Sequence, residues 1–180
     1  MKRNIFSLST IILIFLTACS SDSNDGLTLI GAAFTPDVAN PGSETVSMQA
    51  GSIGSNLATA DVSVAGVDNL YAASFDVVYD PAKVDFIRYS AGTILESGGH
   101  TPHYDVQDNG QGRLVVVAQR LGDVPGVDVG AAQPVIRLTF RVEEVGVSRL
   151  DFENTNLKDD QIPPQNIAGI TWSGGVLSGT

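Results

Sequence analysis

The stretch Leu70–Leu95 constrains the fold of this chain more than any other. Apolar residues occupy every second position over Ala73–Tyr79, the period expected of a β-strand that lays one face on a core. Pro81 follows at once, and its fixed φ and missing amide hydrogen end the strand and suit a tight turn. Apolar alternation resumes over Val84–Phe86. The stretch therefore predicts two strands joined as a hairpin.

Further short strands are predicted along the rest of the chain, separated by Gly, Pro, Asn and Asp. The clearest ones are Thr45–Ala50, Ala60–Val67, His103–Gln107, Arg113–Gln119 and Pro134–Val142. Asn109-Gly110 between two of them is a strong hairpin signal. About eight or nine short strands with no convincing helical stretch predict an all-β sandwich or barrel in a single domain.

Several weaker segments complete this prediction. Leu27–Phe34 is either a first strand or an ordered part of a linker, and residues 122–130 form a loop. Arg149–Phe152 is a short strand, and Asn154–Asn166 is a polar loop. Ala168–Leu177 closes the fold as one strand, with a bulge at its glycine pair.

The N-terminus has the pattern of an export signal. Lys2 and Arg3 precede a short apolar run, which ends in Leu-Thr-Ala-Cys at Cys19. That ending resembles the lipobox of bacterial lipoproteins, in which the Cys is acylated; the alternative is an ordinary signal peptide with an incidental Cys. We therefore expect a signal peptide over residues 1–18, a lipidated Cys19 with a flexible linker over 19–44, and the β-domain over 45–180. Ser20 after the Cys favours lipid anchoring at the outer membrane.

The charge of the chain excludes one class of partner. The formal net charge is −10, and removal of residues 1–18 takes away two positive charges and leaves −12. An acidic domain of this kind does not bind nucleic acid, whose phosphates need basic partners. It is also expected to contact the membrane only through the N-terminal lipid.

No set of reacting groups emerges from the sequence. His100 and His103 are the only histidines, and one Cys is present, so metal ligands are too few. The acidic pairs Glu143-Glu144 and Asp159-Asp160 occupy predicted turns, where solvated charges are expected. We therefore expect no enzyme and no metal or other cofactor.

Several segments in a fixed order carry a family resemblance. They are Phe75–Pro81, Val84–Phe86, Gly92–Leu95, the hairpin at Asn109–Gly112 with Leu114–Ala118, Ile136–Val142 and Gly146–Leu150. This order resembles the cohesin domain, the β-sandwich receptor that binds dockerin modules in polysaccharide-degrading assemblies. The resemblance implies a jelly-roll sandwich of about nine strands. It also implies a calcium-dependent dockerin in another chain as the partner, with contacts from one sheet face.

The strand pattern and the resemblance together select a candidate partner-binding face. Leu114–Ala118 is apolar at consecutive positions, so a core covers one side and a loop or a partner covers the other. The outward residues of the two strands involved are Ala72, Ser74, Asp76, Arg113, Val115, Val117 and Gln119. Two alternatives stay open: direct carbohydrate binding by a carbohydrate-binding-module-like sandwich, with Trp172 or Tyr104 as the stacking residue, and a structural or adhesion module of the cell envelope.

Overall fold

The computed structural model describes residues 31–180, which form thirteen β-strands and one short 3₁₀ helix, Ile94–Gly99. The predicted signal peptide, Cys19 and the first part of the predicted linker lie outside the described residues. Among residues 31–180, no helix has the length and apolar character needed to cross a membrane.

The strands, numbered in chain order, form two large sheets and one small one. From edge to edge, the six-stranded sheet contains β1 (Ala32–Pro36), β13 (Gly175–Gly179), β11 (Gly146–Lys158), β5 (Ala72–Val78), β8 (Arg113–Arg120) and β7 (Pro102–Asp108). The five-stranded sheet contains β12 (Thr171–Ser173), β2 (Thr45–Gly54), β3 (Leu57–Ala65), β10 (Gln133–Val142) and β6 (Val84–Ala91). The short strands β4 (Val67–Leu70) and β9 (Val127–Val129) pair with each other.

The hydrophobic core lies between the two large sheets. Phe75 on β5 is 1% exposed and Phe140 on β10 is fully buried, and each anchors the inner face of its own sheet. Alternate residues along β5 and β8 are buried in the same way, as the period of two predicts. These observations confirm the all-β sandwich. The strand number is higher than expected because short pieces such as β4, β9 and β12 are separate strands.

The turn at Pro81 does not join a hairpin, which corrects the first sequence expectation. β5 pairs with β8 and β11, whereas β6 pairs with β10 in the opposite sheet. Tyr79 is buried, and its ring packs at 5.5 Å from Phe140 of the facing sheet. The Asp80 amide donates to Ser148 Oγ at 2.9 Å. The turn therefore carries the chain across the core.

The predicted hairpin at Asn109-Gly110 is confirmed. β7 and β8 pair antiparallel from Pro102–Arg120 to Asp108–Leu114. Within the turn, Asn109 Oδ1 accepts hydrogen bonds from the amides of Gln111 and Arg113, at 2.8 and 3.2 Å. The Asn109 side chain thus supplies the acceptor that a backbone carbonyl would otherwise supply to these amides, which is the usual role of Asn in turns.

β11 is longer than the sequence predicted. The expected strand Arg149–Phe152 extends to Lys158, so part of the predicted loop Asn154–Asn166 belongs to the sheet. The pairing register with β5 shifts between Glu153 and Asn156, and Asn154 has a φ of 48°. A bulge of this kind breaks the alternation that identifies a strand in a sequence. The predicted loop over residues 122–130 likewise contains β9.

The last predicted strand is two strands in different sheets. β12 runs parallel to β2, and β13 lies between β1 and β11. A Cβ on Gly174, between them, would lie 2.1 Å from the carbonyl oxygen of Leu150, so only glycine allows this close backbone approach. At the glycine pair, where the sequence predicted a bulge within one strand, the chain instead passes from the five-stranded sheet to the six-stranded sheet.

The folded domain begins before residue 45, so the predicted linker over residues 19–44 is too long. Ala32 and Phe34 of β1 are 6% and 5% exposed and contribute to the core. β1 pairs with β13 from Ala32–Gly179 to Pro36–Gly175. This strand is short and prolines follow it closely, so the sequence alone left open whether it was a first strand or part of the linker.

Candidate protein-binding face

The seven residues predicted for the binding face lie on β5 and β8, two adjacent strands of the six-stranded sheet. Along the β5–β8 ladder, Ala72 is opposite Gln119, Ser74 is opposite Val117, and Asp76 is opposite Val115. Arg113 is opposite Val78 at the end of the same ladder. The structure therefore brings all seven positions together.

These side chains point away from the core because the intervening residues point into it. The inward residues of the two strands are at most 2% exposed; they are Ala73, Phe75, Val77, Leu114, Val116 and Ala118. Val115 is 42% exposed and Val117 is half-buried. The outer side of β8 at Val115 is therefore open to solvent among the described residues.

The flanking strands widen this face on both sides. On β7, His103, Asp105 and Gln107 lie opposite Gln119, Val117 and Val115, and all three are exposed. On β11, Asn156 and Glu153 lie opposite Ser74 and Asp76. We call the combined outward surface the docking face; its residues are Ala72, Ser74, Asp76, His103, Asp105, Gln107, Arg113, Val115, Val117, Gln119, Glu153 and Asn156.

The sequence missed the flanking contributors for different reasons. β11 was expected to end at Phe152, so Glu153 and Asn156 were assigned to a turn or loop. The alternating exposure of His103, Asp105 and Gln107 is visible in the sequence as polar residues at every second position, which is a signal that was available.

A hydrogen-bonded charge network fixes one end of the docking face. Arg113 Nη1 donates to Asp76 Oδ2 and its Nη2 donates to Glu153 Oε2, each at 2.6 Å. Asn154 Nδ2 donates to the same Asp76 oxygen at 2.7 Å. The hydrogen bonds to Glu153 and Asp76 raise the pKa of the Arg113 guanidinium above its ordinary value. The centre of the face is therefore small and apolar, and this end is polar and ordered.

The family comparison identifies the fold to which this face belongs. Residues 42–169 match the family model of the cohesin domain. The chain belongs to the cohesin family.

Solved cohesin structures share the same fold at low sequence identity. One is the sixth cohesin of scaffoldin B from Acetivibrio cellulolyticus, in complex with a dockerin: identity is 18%, the match covers 81% of this chain and 96% of that one, and the TM-score is 0.55. Another is a type II cohesin from the cellulosome of the same organism, with 18% identity, 81% and 94% coverage, and a TM-score of 0.56.

A third similar structure is the seventh ScaB type I cohesin from Pseudobacteroides cellulosolvens. Its identity to this chain is 14%, the match covers 67% of this chain and 80% of that one, and the TM-score is 0.55. No curated protein matches the chain in sequence. The solved structures therefore support the cohesin fold.

The two candidate stacking residues lie at opposite edges of this cohesin sandwich. Tyr104 is on β7, where its hydroxyl donates to the carbonyl of Val135 at 3.1 Å and its ring lies 6.3 Å from that of Tyr89 on β6. Burial raises the pKa of Tyr104 to about 12. Trp172 is on β12, at the far edge of the other sheet. The structure does not bring the two rings together.

Trp172 is largely a packing residue. Its ring lies 5.1 Å from Phe152 and 5.7 Å from Phe75, so two aromatic neighbours occupy part of its surface. The rest lines an open concavity of about 380 Å³, with Asn156 and Asn166 among the other lining residues. This concavity is the feature that the carbohydrate-binding alternative depends on.

The two histidines of this cohesin domain lie on different elements. Within residues 31–180, no group of three or more His, Cys, Asp or Glu side chains is placed to hold a metal ion. His100 directly follows the 3₁₀ helix, whereas His103 is exposed on β7.

Proposed function

We propose that this cohesin domain is a non-catalytic receptor whose docking face binds a dockerin module carried by another chain. The observation that carries the proposal is the apolar strip of exposed Val115 and half-buried Val117 on β8, which has polar residues of β5 and β7 on either side. Interfaces commonly combine an apolar centre with a polar rim. Membership of the cohesin family supports the choice of a dockerin as the partner, and one similar cohesin was solved with a dockerin bound.

The size and rigidity of the docking face suit protein recognition. Four strands spaced about 4.8 Å apart and seven residues long, at about 3.3 Å per residue, present roughly 450 Å² of flat surface. That is roughly half of what each partner buries in a standard interface, so adjoining loops would supply the remainder. Because the contact residues lie on paired strands, binding requires little ordering of the backbone and loses little entropy.

The location that we propose for this receptor is the cell envelope, with a lipid on Cys19 as the anchor. The support is the basic start, the short apolar run and the Leu-Thr-Ala-Cys sequence, together with Ser20 as the signal for the outer membrane. A Cys19→Ala variant that remained in the membrane fraction would argue against the anchor.

Calcium-dependent capture tests the proposed function. The full chain, immobilised and incubated with extract of the producing organism, should retain a protein that contains a dockerin module, and EDTA should release it because dockerins need calcium to fold. A captured set without any dockerin-bearing protein would contradict the proposal. Turnover of a glycan by the purified chain would contradict its non-catalytic part.

Carbohydrate binding is the second candidate, and the concavity beside Trp172 is the observation in its favour. A tryptophan edge next to two Asn amides offers both stacking and hydrogen bonding to a sugar. Retention of the chain on polysaccharide, lost in a folded Trp172→Ala variant, would favour this candidate. Retention without any dockerin-bearing partner would assign the chain to glycan binding.

A further inference from the structure

Arg120 is a buried cation on the inner side of the six-stranded sheet. It ends β8, and it follows Leu114, Val116 and Ala118 in the set of residues that face inward. Its side chain is only 2% exposed. Arg is almost never buried to this extent without a partner, so the surroundings of this guanidinium need an explanation.

The neighbouring protein groups satisfy only part of the Arg120 guanidinium. Its Nη2 donates to the carbonyl oxygen of Ser97 at 2.7 Å, whereas its Nε is buried and has no hydrogen-bond partner. No carboxylate among residues 31–180 lies within salt-bridge distance of Arg120. By contrast, four other arginines there form ion pairs with carboxylates: Arg113, Arg137, Arg141 and Arg149. Burial of a charge without a counter-ion is costly, so a site of this kind favours an added anion.

A cavity of about 300 Å³ adjoins this guanidinium at the end of the sandwich. The second half of the 3₁₀ helix and His100 directly after it form one wall, and the segment from Pro125 into β9 forms another. Its lining residues are Ser97, Gly98, His100, Arg120, Pro125, Gly126, Val127 and Asp128. A water molecule occupies about 30 Å³ in the liquid, so the cavity has room for a small anion with accompanying water.

His100 and Arg120 converge in this cavity at Gly98. A Cβ built on Gly98 would lie 3.4 Å from Nε2 of His100 and 3.9 Å from Nη2 of Arg120. The absence of that carbon, at a residue whose φ is +77°, leaves the space between an imidazole and a guanidinium open. Both groups are donors suited to the oxygens of one anion.

One carboxylate also lines the cavity and limits the charge that fits there. Asp128 Oδ1 accepts a hydrogen bond from the amide of Asn69 at 2.9 Å, so this oxygen has a protein partner of its own. Its negative charge opposes a highly charged ligand. The balance of groups therefore suits a small oxyanion with one or two charges.

We propose that this cavity is a binding site for a small oxyanion, a carboxylate or a phosphate group, held by the guanidinium of Arg120 and the imidazole of His100. The site is separate from the docking face because Arg120 points to the opposite side of β8 from Val115 and Val117. The proposal does not rest on dockerin binding. A carboxylate would come from an acidic sugar or peptide, and a phosphate from a free or esterified phosphate group.

Nuclear magnetic resonance titration of the full chain tests the site, with sodium phosphate and sodium acetate as the probes and sodium chloride at equal ionic strength as the reference. We expect the imidazole signals of His100 and the Nε–H signal of Arg120 to shift and saturate with at least one probe. His103, the only other histidine, is an internal control because it lies on the outer face of β7. Saturation with acetate alone points to a carboxylate ligand, and saturation with phosphate alone points to a phosphate ligand. Shifts that stay linear, or that are equal for the two histidines, would overturn the proposal.

One matched pair of histidine variants and one Asp128 variant make the test independent of Arg120, whose replacement endangers the fold. His100→Gln should weaken anion binding about tenfold, the loss expected for one charge-assisted hydrogen bond, whereas His103→Gln should leave it unchanged. Asp128→Asn keeps the acceptor for Asn69 and removes the negative charge, so it should strengthen binding. Weaker anion binding in Asp128→Asn, or equal affinities in the two histidine variants, would contradict the assignment.

Discussion

Asp76 shows how single residues give the docking face its shape. It is 8% exposed although it points outward, because Arg113 and Asn154 both donate to it. Asn154 reaches it only because the β11 bulge places that residue at positive φ. The network holds the side chains of three strands in place, so this end of the face is organised before a partner arrives.

Tyr104 links the two sheets at one edge, and its ionisation is a test of that link. Its pKa is raised from 10.0 to about 12 by burial. At pH values below 10 the phenol is protonated in the folded and unfolded chains alike. Between pH 10 and about 12 the unfolded chain releases this proton first, so stability falls as the pH rises through that window.

The Tyr104→Phe variant isolates this ionisation. A titration followed by phenolate absorbance should show that the variant lacks one component that titrates near pH 12 in the parent chain. Circular dichroism at neutral pH provides the check on folding. Loss of a component that titrates near pH 10 would mean that Tyr104 is not buried against Val135 in solution.

At the scale of elements, the sequence predicted strands where alternation is uninterrupted and failed where it is broken. β8 and β10 were located from their side-chain pattern, and the β7–β8 turn was located from Asn109-Gly110. β11 was cut short because its bulge hides the period of two. β5 and β6 were joined as a hairpin because Pro81 signals a turn, while the sheet in which each strand pairs depends on distant contacts such as Asp80 with Ser148.

The same dependence on long-range pairing explains which residues of the candidate face could be placed from the sequence. The seven predicted residues follow from the alternation along β5 and from the continuous apolar run of β8, and the structure pairs these two strands. The contributions of Glu153 and Asn156 required the register of β11, which long-range pairing determines. The Arg120 cavity was not foreseen, because nothing local in the sequence shows that this charged residue points inward.

The change of sheet between β12 and β13 gives a stability prediction. Gly174→Ala places a Cβ against the backbone of Leu150, which has no flexible end to move, so we expect a loss of about 1–3 kcal/mol of unfolding free energy. Gly130→Ala is the matched control, because a Cβ there meets no atom within 4 Å. Urea unfolding measures both. Equal stabilities of the two variants would show that the close approach at Gly174 is absent in solution.

At the scale of the whole molecule, the sandwich separates two kinds of surface. One sheet presents the docking face outward, and the end of the sandwich holds the Arg120 cavity. The N-terminal strand β1 lies at the edge of the six-stranded sheet, away from β7 and β8. A chain anchored through residues before β1 would therefore be held by one edge while the docking face stays accessible.

The central claim is that the docking face binds a dockerin module, and a matched pair of valine variants tests it most directly. Val115 is 42% exposed at the centre of the face, whereas Val145 is 65% exposed in the turn between β10 and β11. Both variants, Val115→Asp and Val145→Asp, are compared with the parent chain in calcium-dependent binding of the captured dockerin-bearing protein. The account predicts that Val115→Asp weakens binding by about thirtyfold or more, as for loss of a central contact, and that Val145→Asp binds like the parent. Equal binding by the two variants would contradict it.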